Sequence, residues 1–142
     1  MAANLDQMVI VLAADIAASW VELDKYLVAA ELQQISPLIV VNKIDLVVTE
    51  PAQKNIDKML KLYRGIGYRV ITVSVKMGIN HMQLSDGLAQ KTSILVGASG
   101  VGKSSIVNWM LSAAACEVGQ LSTKKNLGRH TTSNACIYEG GQ

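Results

Sequence analysis

Gly97-Ala98-Ser99-Gly100-Val101-Gly102-Lys103-Ser104 is the stretch on which the reading of this chain turns. It fits G-x-x-x-x-G-K-[ST] and stands where that pattern has physical meaning. Before it, Ser93–Val96 reads as a strand; after it, Lys103 to about Leu111 reads as a helix. A phosphate held by backbone N–H groups needs glycines that bend sharply and put no side chain in the way. The helix adds N–H groups without intrahelical partners and the positive end of its dipole. In that setting Lys103 reaches the β- and γ-phosphates, and the Ser104 hydroxyl coordinates Mg²⁺. The expected nucleotide-binding set here is Gly97, Ala98, Ser99, Gly100, Val101, Gly102, Lys103, Ser104 and Ser105. The alternative is a glycine-rich turn followed by an accidental Lys-Ser, which the flanking strand and helix disfavour.

A phosphate loop does not distinguish GTP from ATP. Upstream, Asn42-Lys43-Ile44-Asp45 matches N-K-x-D directly after the apolar run Leu38–Val41. The Asp45 carboxylate can accept hydrogen bonds from N1–H and the exocyclic amine of guanine; adenine offers neither donor in that arrangement. Charge-assisted bonds contribute roughly 1.5–3 kcal/mol each, and sites built on them reject analogues by about 10⁴–10⁵. Lys43 is expected to lay its stem along the base, and Asn42 to tie the turn to neighbouring backbone. Standing alone, the motif would read as a polar turn. Ser74-Val75-Lys76, after the run Tyr68–Val73, is similar to the S-A-K element that supports the base through backbone N–H groups. Ser74 braces that loop and Lys76 packs near the base.

Further outward, short apolar runs alternate with helical patterns, which argues for βα units and a mostly parallel sheet. Gln7–Ala13 reads as a buried first strand and Ser19–Gln34 as a helix capped by Ser19. Pro37 precedes a strand at Leu38–Val41, where a proline at the start loses no ladder bond. Thr49-Glu50-Pro51 starts a helix running to about Tyr63 and stopping near Gly65 and Gly67. A short helix over about Met82–Ala89 and a last strand over about Asn134–Tyr138 complete the pattern. Cys116–Thr132 is polar and aperiodic, the mark of a functional or mobile loop. His81 has no motif around it and is expected at the surface.

With 142 residues there is room for one domain and one core, and 50% hydrophobic with 17% charged residues suits a buried α/β domain. Phenylalanine is absent, so the core must come from Val, Ile, Leu, Ala and Met. A net charge of +2 does not by itself argue for nucleic acid. Cys116 and Cys136 lack the paired spacing of a zinc site and read as free thiols. The run Met8–Ala14 is too short to span a bilayer and lacks a basic flank. A cytoplasmic protein with no membrane association is the default.

In ordinary small GTPases the phosphate loop comes first and N-K-x-D later; here the order is N-K-x-D, then S-V-K, then the phosphate loop, then a Thr-rich loop. The order is physically permissible because such sites are built from loops at the carboxyl ends of strands, whatever their place in the chain. It resembles the circularly permuted GTPases, and most closely the ribosome small subunit-dependent GTPase A family, RsgA. The likeness runs through Ala2–Gln7, Asn42–Leu46, Gly65–Tyr68, Gly97–Asn108 and Gly128-Arg129-His130-Thr131-Thr132, the last similar to the family's G-x-H-T-T element. The resemblance implies a three-layer P-loop NTPase fold and a permuted Ras-like G domain over residues 1–142, a monomer that binds GTP or GDP. It also implies slow GTP hydrolysis stimulated by the small ribosomal subunit and its rRNA during late maturation. Thr131 and Thr132 align with the switch element over the γ-phosphate, one of them a Mg²⁺ ligand beside Ser104. His130 aligns with a histidine that positions the attacking water, against a solvated loop histidine as the plain reading. The implied catalytic set is His130, Lys103, Thr131 and Thr132.

Three parts of the family pattern have no counterpart here. No oligonucleotide-binding barrel precedes Met1, no zinc-binding Cys/His module follows Gln142, and the D-x-P-G element expected just after Gly141 is missing. Zinc therefore belongs to the full-length family, with no ligands for it in this chain. Without the strand that leads to D-x-P-G, the phosphate-loop strand is expected to show an open edge and the last strand to lack a partner. The chain is accordingly expected to be an incomplete G domain, part of a longer protein. Two functions follow: a GTP-hydrolysing domain of a ribosome-assembly factor, or a guanine-nucleotide-binding module without turnover. A P-loop kinase is a distant third, opposed by Asn42–Asp45.

Overall fold

Gln7–Ala13 forms strand β1, and every one of its residues is buried. Such a run needs cover on both faces, which a central strand of a parallel sheet receives. In the computed structural model, which describes residues 5–114 and 135–139, β1 lies between β2 (Ser36–Asn42) and β4 (Thr92–Val96). Strand β3 (Arg69–Thr72) flanks β2 and β5 (Ala135–Glu139) flanks β4, giving the order β3-β2-β1-β4-β5. The first four in that order are mutually parallel; β5 is antiparallel to β4.

Alternation along β1 assigns its faces. Met8, Ile10 and Leu12 pack with Leu23 and Leu27 of helix α1 (Leu23–Leu32) and with Ile56, Leu60 and Tyr63 of α2 (Glu50–Ile66). Val9, Val11 and Ala13 pack with Leu84 and Leu88 of α3 (His81–Leu88) and with Ile106, Val107 and Met110 of α4 (Lys103–Ala114). Helices on both faces of one sheet make the three layers expected. Helix α2 starts as anticipated, with the Ala52 N–H donating to the Thr49 hydroxyl at 3.2 Å and Pro51 in the first turn.

Two expectations need correction. Ser19 does not cap α1, whose N-cap is Glu22 without a side-chain bond. The β1–β4 ladder ends at the Ile10–Val96 pair. Beyond it the Ala13 N–H donates to the Ser19 hydroxyl at 3.0 Å, and the Ala13 carbonyl accepts from the Trp20 indole at 3.2 Å. The hydroxyl is therefore spent on the buried strand end, a use that competes with capping. The second correction concerns the sheet edge. Strand β4 is not left open, because β5 pairs with it from Thr92–Glu139 to Val96–Ala135. An edge strand's unpaired N–H and C=O groups accept any extended segment that reaches them, and β5 supplies one.

Candidate nucleotide-binding site

Parallel strands present their carboxyl ends together, so the segments after β2, β3 and β4 meet at one edge of the sheet. The segment after β4 is the glycine-rich loop. A Cβ on Gly97 would collide with the Val11 carbonyl, and Gly97 has φ +150°. The loop therefore lies directly on β1. Val101 is fully buried in the α3–α4 side of the core and pins the loop from inside, while Ser99 and Gly100 are exposed at its tip.

Lys103 opens α4 and is 9% exposed, with its ammonium donating to the Gly97 carbonyl at 2.8 Å and the Ala98 carbonyl at 2.9 Å. The charge is thus folded over the loop that it closes. Ser104 and Ser105 are exposed in the first turn of α4, where helix N–H groups lack intrahelical acceptors. One hydroxyl at this place suits Mg²⁺, which keeps waters and takes few protein ligands besides phosphate oxygens. Among the described residues no group of three His, Cys, Asp or Glu could hold a metal.

Asn42, the last residue of β2, is 3% exposed and ties all three segments together. Its amide donates to the Val101 carbonyl at 3.1 Å and its side-chain oxygen accepts from the Val75 N–H at 3.2 Å. A Cβ on Gly102, which has φ +105°, would overlap the Asn42 amide. Glycine at 102 is thus required by the residue that opens N-K-x-D. Lys43 takes a left-handed conformation at φ 64° and sends its ammonium to the Gly100 carbonyl, 2.7 Å away. Its stem thereby bridges the N-K-x-D turn and the glycine-rich loop.

Asp45 sits in a single 3-10 turn, Ile44–Leu46. The Ser74 hydroxyl, 1% exposed, donates to Asp45 Oδ1 at 2.7 Å and accepts from the Met77 N–H at 3.1 Å. One carboxylate oxygen is thus braced and the carboxylate's orientation fixed. Together these segments enclose a cleft of about 270 Å³, lined by Asn42, Lys43 and Asp45, by Ser74, Val75 and Lys76, and by Gly102 and Ser105. A larger hollow of about 460 Å³ lies on α2 between Asp57 and Gly65, but it is open and none of the motif residues line it.

Two residues near the cleft carried no motif signal. Leu46 lines it although 49% exposed, which leaves an apolar side chain on the wall of the cleft. His81 is half-buried rather than a free surface residue: its Nε2 is 3.1 Å from the Val75 carbonyl and its ring stacks on Trp109. Apolar spacing would not flag either one. His130, Thr131 and Thr132 lie outside the described residues.

Known proteins share this arrangement. The family model described as RsgA GTPase matches residues 1–141. Small ribosomal subunit biogenesis GTPase RsgA of Haemophilus influenzae is 44% identical over 137 residues, 96% of this chain and 39% of that protein. The chain thus spans about two-fifths of the length of the curated relatives it matches. The crystal structure of YjeQ from Thermotoga maritima superposes with a TM-score of 0.68 at 34% identity, covering 75% of this chain and 38% of that one. YloQ, described as a circularly permuted GTPase, also gives a TM-score of 0.68, at 27% identity over 97% of this chain and 45% of its own. With its motifs in permuted order around one cleft and a family match along nearly its whole length, the chain belongs to the RsgA GTPase family.

Proposed function

We propose that residues 1–142 form one guanine-nucleotide-binding domain, and that it provides the GTP-hydrolysing part of a factor assisting late maturation of the small ribosomal subunit. The observation that carries this reading is the position of Asn42, bonded at once to the phosphate loop and to the Ser74–Lys76 segment. Phosphate and base sites are thereby held at a fixed separation, as one nucleotide requires.

In this reading Asp45 pairs with N1–H and the exocyclic amine of guanine, while Lys43 and Leu46 flank the base. Lys103 exchanges its carbonyl partners for β- and γ-phosphate oxygens, and the loop N–H groups complete the cradle. Ser104, with Thr131 or Thr132, would hold Mg²⁺, which would supply positive charge beside the phosphates. His130 orients the attacking water. The partners are the small subunit and its rRNA, the protein acts as a monomer, and the compartment is the cytoplasm. Among the described residues no helix is long and apolar enough to cross a membrane.

The test is phosphate release from GTP, with and without small ribosomal subunits, by this chain and by one extended past Gln142. Nucleotide binding by both, with stimulated turnover in the extended chain, is the expected result. An extended chain that binds GTP but ignores the subunits would remove the ribosomal part of the proposal.

A further inference from the structure

His81 stands at the start of α3, and three contacts define its place. Its Nε2 is 3.1 Å from the Val75 carbonyl, and its ring centroid is 4.1 Å from that of Trp109 at an interplanar angle of 38°. Trp109 belongs to α4, the helix that the phosphate loop opens, and packs against the core cluster that contains Val101. A carbonyl oxygen only accepts, so the nitrogen facing Val75 must carry a proton. The Val75 N–H meanwhile donates to Asn42. Both backbone groups of Val75 are therefore held by side chains from different elements, and the histidine itself is held by the stack.

The Val75–Lys76 peptide is trans. Its C=O and N–H thus point to opposite edges of one plane. Val75 and Lys76 line the cleft and His81 does not. With the carbonyl turned outward to His81, the Lys76 N–H is left on the cleft side, and no described group accepts from it. Guanine carries a carbonyl acceptor at C6, where adenine carries an amine that cannot accept from an N–H.

We infer that His81 is a positioning residue for base selectivity: by donating to the Val75 carbonyl it fixes the Lys76 N–H to meet the C6 carbonyl of guanine. The inference rests on the guanine-nucleotide reading above. It assigns selectivity to two sides of the base, Asp45 on one edge and this peptide on the other.

Three variants separate the contacts. His81→Phe keeps a ring against Trp109 and loses the donor. His81→Gln keeps an N–H donor at similar reach and loses the aromatic stack. His81→Leu gives a smaller side chain without a donor, for use if the phenyl ring is not tolerated. GDP and ADP affinities of the whole chain are measured by calorimetry, with folding followed by thermal melting.

Wild type should prefer GDP. His81→Phe, or His81→Leu in its place, should lose about tenfold in GDP affinity, the worth of one hydrogen bond, with ADP affinity unchanged. His81→Gln should retain most of the GDP affinity. Equal loss for GDP and ADP would assign His81 a merely structural role, and an unchanged GDP/ADP ratio in both donorless variants would also overturn the inference. A wild-type chain without preference for GDP would instead defeat the underlying guanine reading.

Discussion

Asn42 and Val101 are 59 residues apart in sequence and joined by a 3.1 Å hydrogen bond from the Asn42 amide to the Val101 carbonyl. The same side chain accepts from the Val75 N–H, so its removal leaves two backbone groups of the site without their partner. Buried groups left in that state cost about 1–3 kcal/mol. Asn42→Ala should therefore lower stability by roughly that amount and weaken GTP binding at least ~tenfold, read by denaturant unfolding and calorimetry. A variant with normal affinity would show that the bridge does not hold the two half-sites together.

Gly102 matters through the same residue. An alanine there places a methyl group into the Asn42 amide at φ +105°, and backbone strain alone costs about 1–3 kcal/mol. Gly102→Ala should reduce GTP affinity by about tenfold or more, since 1.4 kcal/mol is a factor of ten. Gly65 in α2 is the contrast, because a Cβ there meets nothing within 4 Å. Gly65→Ala should stabilise the fold by up to ~1 kcal/mol and leave nucleotide binding alone. Melting curves and GTP titrations of the pair check both halves.

Much of this architecture is legible in the sequence, for identifiable reasons. β1 reads as a strand because a central parallel strand must be apolar on both faces, and Met8 to Ala13 is. Gly97–Ser104 and Asn42–Asp45 read correctly as neighbours because their chemistry only makes sense around one ligand. What resisted reading depends on contacts that form only in the folded chain. Ser19 has the look of a helix cap, but the loose end of β1 claims its hydroxyl. The pairing of β5 with β4 follows from which segment reaches an open edge, which residue patterns do not encode. His81 meets its partners only once the start of α3 packs against the Val75 carbonyl and against Trp109 of α4.

Asp45 tests the base chemistry. An amide in its place keeps the size but replaces one acceptor with a donor, which faces the guanine amine unfavourably and suits a C2 carbonyl. Asp45→Asn should weaken GTP at least ~tenfold, the loss of one or two charge-assisted bonds, and improve binding of the xanthine nucleotide. Competition between GTP and XTP reads this directly; an unaltered GTP affinity would remove Asp45 from the site.

Alkaline stability tests the packing of α1 on α2. The Tyr63 hydroxyl donates to Asp24 at 2.8 Å. Burial first, and then this bond to a carboxylate, raise its pKa from 10.0 to about 12. Because the folded value lies above the unfolded one, the contribution is whole below pH 10 and is lost as pH rises from 10 to about 12. Urea unfolding should show stability falling across that window, with a shallower fall in Tyr63→Phe. Tyr26 and Tyr68 are raised as well, chiefly by burial, so some slope should remain. An identical slope in the variant would mean that the Tyr63 proton is not held by the fold.

The central claim is that one cleft, closed by Asn42 between the phosphate loop and the Ser74–Lys76 segment, takes a guanine nucleotide. Its most direct test is titration of the 142-residue chain with GTP and with ATP in the presence of Mg²⁺. The account predicts saturable GTP binding and an ATP affinity lower by about 10⁴-fold, the selectivity that hydrogen-bonded sites reach. Equal affinities for the two nucleotides would contradict it.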